Sequence, residues 1–198
     1  WSSGSCCATN TYTICWPGGD MYLVYEYREY TGGASVSFNI ALQTVTAGSI
    51  TASIPCSGDA TITSSGQSGP INNYTLTGST TQTGTYPVVV TQTSSTFSVS
   101  SSSPYSWWKI RYNATCSYST SPLSTNAVFI VPRTFTGNVV LSDNVVMGGA
   151  YNFGANDFTL NSGSTITVAN GCILDITANN ITISGNIDGN GKGSAGGN

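Results

Sequence analysis

The chain has 198 residues, a formal net charge of −3, no histidine and only 7% charged residues, while serine and threonine number 29 and 28. With so few cations there is no basic patch to neutralise phosphates, which excludes nucleic-acid binding, and no run approaches the ~20 apolar residues that a membrane-spanning helix needs. A low-charge surface of hydroxyls lowers the electrostatic barrier between like subunits, and plentiful, patterned Val, Ile, Tyr, Phe and Trp argue for a packed core rather than disorder.

Residues 1–16 are rich in Gly, Ser and Thr, carry three of the six cysteines and show little periodicity; they are expected to form an extended arm ending at Trp16. No basic region followed by an apolar run is present, so any secretion signal is expected to have been removed, with Trp1 as the mature terminus. After a turn at residues 17–20, residues 21–30 read as a long strand carrying Tyr22, Tyr25 and Tyr27 among aromatics on both faces. As an edge strand it would invite pairing with another chain.

Further strands are expected at residues 36–42, 50–54, 60–63, 74–76, 86–90, 97–99 and 107–112, separated by clusters of Gly, Ser, Asn and Pro. Short strands at this spacing without a helical signal indicate a β-sandwich over residues 17–124. Cys56 and Cys116 bracket Trp107 and Trp108, loosely as in an immunoglobulin-type sandwich, although the tryptophan order is wrong for an antibody domain. Six cysteines imply disulfides and an extracellular, oxidising compartment. Cys15 is expected to pair with Cys6 or Cys7; the cysteine left over and Cys172 then bridge within one chain or between chains, or Cys172 is simply buried.

Residues 117–124 read as a linker, and residues 128–131 with Phe135 as the lead-in to a different kind of pattern. From Asn138 onward apolar residues come in pairs with one residue between, at Tyr151/Phe153, Phe158/Leu160, Ile166/Val168, Leu174/Ile176 and Ile181/Ile183, with Gly and Asn between pairs. Sliding this stretch by 23 residues superposes Tyr151 on Leu174, Phe153 on Ile176, Phe158 on Ile181, Leu160 on Ile183, Asn156 on Asn179 and Asn138 on Asn161. Such a period fits a parallel β-helix over residues 125–198, three short strands to a coil, with like residues stacked. About two and a half coils are legible where roughly three are needed for stability, so the last one is expected to leave Ile183 and Ile187 uncovered.

The run from Ile181 to Gly191, Ile-Thr-Ile-Ser-Gly-Asn-Ile-Asp-Gly-Asn-Gly, resembles the early coil of polygalacturonase-type and other pectate-lyase-like right-handed β-helices, and also the glycine-rich β-helical passengers of secreted bacterial adhesins. The likeness is confined to the last third of the chain. Such hydrolases use a catalytic aspartate cluster, a histidine and an Arg-Ile-Lys-type substrate motif, and no residues of this chain match them. Asp143, Asp157, Asp175 and Asp188 are scattered singly, whereas glycoside hydrolysis needs a carboxylate pair. The sequence 188–193 starts like a calcium loop, but Lys192 stands where an oxygen ligand belongs and no glutamate closes it, so a glycine-rich turn is the expected reading. Neither catalytic residue nor cofactor is assigned.

Asn73, Asn113 and Asn180 head glycosylation sequons, the last against a strand of the repeat and the least expected to be used if the coil folds first. The expectation for the whole chain is a secreted structural glycoprotein that polymerises with itself. It would be the subunit of an extracellular filament or cell-surface adhesin, with Trp16, Tyr22, Tyr25, Tyr27, Ile183 and Ile187 at the interface. The alternative is the carbohydrate-binding N-terminal part of a β-helical polysaccharide-acting enzyme, with the aromatic cluster Tyr105, Trp107, Trp108 and Tyr112 stacking on sugar.

Overall fold

The computed structural model describes Ile14, Cys15 and residues 43–116, 120–135 and 137–192. Within these residues every regular element is a β-strand. The expected strands at 21–30 and 36–42, and the candidate residues Cys6, Cys7, Trp16, Tyr22, Tyr25 and Tyr27, lie outside them.

Residues 43–116 and 120–129 contain two antiparallel sheets. Strands β1 (Ser49–Ser53), β2 (Ala60–Ser65) and β5 (Thr96–Val99) form one, in the order β1-β2-β5. Strands β3 (Ile71–Ser79), β4 (Val88–Gln92), β6 (Trp107–Ala114) and β7 (Val128–Phe129) form the other, in the order β4-β3-β6-β7. Strict alternation in β6 buries Trp108, Ile110 and Tyr112, since neighbouring side chains of a strand point to opposite faces. These three join Leu76 from the same sheet and Ile50, Ile62, Phe97 and Val99 from the first in one core. The Tyr112 hydroxyl is 2.8 Å from Ser64 Oγ inside that core; because Ser64 donates to Gln67 Oε1 at 3.0 Å, the tyrosine is the donor.

Two segments differ from the sequence reading. Residues 121–124 run beside β6 instead of linking two units freely: Tyr112 N–H donates to Pro122 O, Ser124 N–H donates to Ile110 O, and Ser124 is buried. Val128–Phe129, read as lead-in to the repeat, closes the antiparallel sheet as β7, with Ile130 in the same core. The segment 121–124 carries no hydrophobic period, and it pairs through backbone groups and the hydroxyls of Ser121 and Ser124, which leave no periodic mark in the sequence.

From Val139 the pairing becomes parallel. Strands β8 (Val139–Leu141), β9 (Val145–Met147), β10 (Gly149–Asn152), β11 (Phe158–Leu160), β12 (Thr165–Val168), β13 (Leu174–Thr177), β14 (Ile181–Ile183) and β15 (Asn186–Asp188) are each only a few residues long. The chain visits three sheets in turn and comes back to each one strand further on, giving the orders β14-β11-β8, β15-β12-β9 and β10-β13. Phe158 pairs with Ile181 and Leu160 with Ile183, as the 23-residue slide expects. Asn156 likewise meets Asn179, whose N–H donates to the Asn156 carbonyl, but other matches fail: Tyr151 pairs with Ile176 and Gly149 with Leu174, and Asn138 meets Asp157 rather than Asn161, its Oδ1 accepting from Asp157 N–H. Corners of unequal length cause this, because the strands keep register while the connections between them do not.

The cysteines pair differently from every arrangement read in the sequence. Cys56 bonds Cys172 across 116 residues and Cys15 bonds Cys116 across 101. Cys56 therefore does not bridge to Cys116, Cys15 is not joined to Cys6 or Cys7, and Cys172 is neither a free thiol nor a link between chains. The reason is the loop after β1. It reaches the start of β10, where Gly149 at φ 84° comes so close to the Cys56 carbonyl that any β-carbon there would overlap it, and the corner containing Cys172 folds against Gly148 beside it. Arg133 fastens the same junction, donating to Pro55 O at 2.6 Å, Gly58 O at 3.2 Å and Ala150 O at 3.2 Å while covering the Tyr151 ring.

Candidate assembly surfaces

The parallel strands stack side chains in rows. One row runs Val139, Phe158, Ile181, the next Leu141, Leu160, Ile183, and a third Val145, Ile166, Ile187. The middle members, Phe158, Leu160 and Ile166, are fully buried, whereas Ile181, Ile183 and Ile187 at one end are 48%, 43% and 43% exposed. At the other end Val139, Leu141 and Val145 are buried again, because Phe129, Val131 and Phe135 pack over the same cluster. One end of the column is covered by the antiparallel part and the other is open among the described residues.

Asparagine and aspartate side chains hold the corners. Asp157 Oδ1 accepts from Asn179 Nδ2 at 3.0 Å and from Asn180 Nδ2 at 2.8 Å. These bonds, Asn180's first, hold its carboxyl below the usual carboxylate range. Asn144 Oδ1 accepts from Thr165 N–H, and Asn161 Nδ2 donates to Ser142 Oγ. Asp188 Oδ1 accepts from Asn190 N–H two residues on, the local bond that favours aspartate in turns. Among the described residues no group of three or more His, Cys, Asp or Glu stands together.

The remaining sequence candidates are spread out. Asn73 and Asn113 sit opposite each other on β3 and β6, with Asn113 Nδ2 donating to Asn73 Oδ1 at 2.6 Å and Thr75 Oγ1 at 2.7 Å. Asn180 is exposed, at the residue before β14. In the aromatic cluster Trp108 and Tyr112 are core residues and Tyr105 meets Trp108 edge-on; Trp107 is half-buried against Phe129, ring centroids 4.9 Å apart.

A feature absent from the sequence reading lies where the two parts meet. A groove of about 350 Å³ runs between Trp107 and Phe129 on one wall and the outer edges of β8 and β9 on the other, with Phe135, Val140 and Asp143 among its lining. Val140 is 58% exposed there. The only advance signal was its place as the outward residue of an alternating triplet. Edge strand β4 is a second apolar surface, with Val88, Val89 and Val90 all exposed. Compared with known proteins, the chain matches no family model, no curated protein and no solved structure.

Proposed function

We propose that this chain is a secreted structural protein, a subunit of an extracellular filament or surface adhesin. In this reading the two antiparallel sheets are a β-sandwich, the parallel strands are a short β-helix, and subunits join by adding strands and coils to one another. The observation that carries the reading is the row of Ile181, Ile183 and Ile187, half-exposed in register with residues that are fully buried one strand back. Fully burying an exposed isoleucine side chain is worth about 1.5–3 kcal/mol, so a neighbour that covered the exposed part of each of these three would gain roughly half of that per residue.

Three further features support the same reading. Backbone N–H and C=O groups at a sheet edge template the pairing of another strand unless charge or proline blunts them, and β14 carries neither. The low net charge leaves little repulsion between copies. The two disulfides suit an oxidising environment. Electron microscopy of the purified chain tests the proposal: filaments or regular chains of particles are expected at micromolar concentration. Uniform single particles under every condition would refute it.

A further inference from the structure

We infer that Asn190 is a site of spontaneous covalent modification, converting to aspartate and isoaspartate through a cyclic imide, and that its structural twin Asn170 is shielded from the same reaction by the corner that stacks on it.

The sequence contains two Asn-Gly pairs, Asn170-Gly171 and Asn190-Gly191. Each occupies the middle of a turn, closed in one case by Cys172 N–H donating to Ala169 O and in the other by Lys192 N–H donating to Gly189 O, both at 3.1 Å. Gly171 and Gly191 have φ of 72° and 67°, a left-handed backbone that glycine adopts without strain. The turns follow β12 and β15, which are neighbours in one parallel sheet, so they are the same corner on successive circuits. All four residues are exposed. Local sequence, turn geometry and access to water are therefore alike at the two sites.

The reaction begins when the glycine nitrogen attacks Cγ of the preceding asparagine. A new N–Cγ bond closes the imide ring, the Cγ–Nδ2 bond breaks, and ammonia leaves with the proton that the glycine nitrogen gives up. Water then opens the ring at either carbonyl. Cleavage of the new bond leaves aspartate; cleavage of the original peptide link leaves isoaspartate, with the chain running through the side-chain carbonyl. Nothing is oxidised or reduced, and water is the only co-reactant.

The two sites differ in the nitrogen that must attack. Glycine has no β-carbon to hinder it, so the rate depends on whether that nitrogen can lose its proton and turn toward Cγ. Gly171 N–H donates to Lys192 O at 2.8 Å, and a bonded N–H keeps both its proton and its direction. The disulfide from Cys172 to Cys56 fixes the same corner one residue further on. Gly191 N–H, by contrast, meets no acceptor among the described residues. Asn190 N–H donates to Asp188 Oδ1, which holds the start of the turn and leaves the Gly191 nitrogen unengaged. The shield over Asn170 is thus the Asn190 corner itself, acting through the Lys192 carbonyl, and it is removed only when residues 189–192 lift away in a local opening.

Peptide mapping by mass spectrometry, after dilute protein has stood in mildly alkaline buffer with and without urea, reads both sites at once. Conversion of an asparagine to an acid changes the mass, whereas isomerisation at Asp188, which also precedes a glycine, does not. In urea the two asparagines are expected to convert at the same rate. In the folded protein Asn190 should keep close to that rate while Asn170 slows at least ~tenfold, because local opening limits it. Each event adds a negative charge to a chain of net charge −3, so Asn190→Ser, a change at an exposed residue, should remove the acidic form that the folded parent accumulates on isoelectric focusing. Equal rates at the two sites in the folded protein, an Asn190 slowed as much as Asn170, or an acidic form that persists at the parental rate in Asn190→Ser would each overturn the assignment.

Discussion

Single side chains set how this fold responds to pH. The Asp157 carboxyl, held low by Asn180 and Asn179, favours the ionised form in the folded state. Its contribution is complete above the unfolded carboxylate value near ~3.9 and is lost as pH falls through the lower folded value. Asp157→Asn is therefore expected to melt with less dependence on pH between about 5 and 3 than the parent, which thermal denaturation across that range checks. At the alkaline side, burial raises the hydroxyls of Tyr112 and Tyr151. Stability held below the unfolded tyrosine value near ~10 should fall away as pH climbs through the raised values, seen as loss of melting temperature coincident with tyrosinate absorbance. Gly149 is the most constrained single position: a left-handed backbone and the Cys56 carbonyl both exclude a side chain. Gly149→Ala should cost about 2–4 kcal/mol of unfolding free energy, measured by urea titration.

At the level of elements, strand existence was legible and strand connection was not. Alternation in the repeat paired Phe158 with Leu160 and Ile166 with Val168 as residues of one face, and all four are buried. The 23-residue slide found the true partners of Phe158 and Leu160 yet missed those of Tyr151, because the corner holding Cys172 lengthens one circuit and leaves no period to read. Cysteine pairing was opaque for a similar reason. It depends on which loops meet in space, and the Cys56 loop meets β10 through backbone contacts and Arg133 rather than through any pattern. The junction so formed is expected to be a strong one. Closing a loop of 116 residues stabilises by about 3–5 kcal/mol in the chain-entropy view. Replacing Cys56 and Cys172 together by serine should lower the unfolding free energy by that order, with the parallel strands losing amide protection before the antiparallel ones.

For the molecule as a whole, the parallel strands end differently on their two sides among the described residues. The antiparallel part covers one end with Phe129, Val131 and Phe135 but leaves a groove there, while at the other end Ile181, Ile183 and Ile187 are half-exposed among the described residues. The groove left no mark in the sequence, because its walls come from residues far apart in the chain. An unlike pair of surfaces that meet without closing a ring yields an open filament rather than a symmetric dimer. The most direct measurement is amide hydrogen exchange over residues 181–188, on assembled and on dilute protein. The N–H groups of Ile181, Ile183 and Ile187 should be slow to exchange in the assembled sample and fast in the dilute one, while those of Phe158 and Leu160 stay slow in both. Exchange of the three isoleucines that is unchanged by concentration would contradict the account.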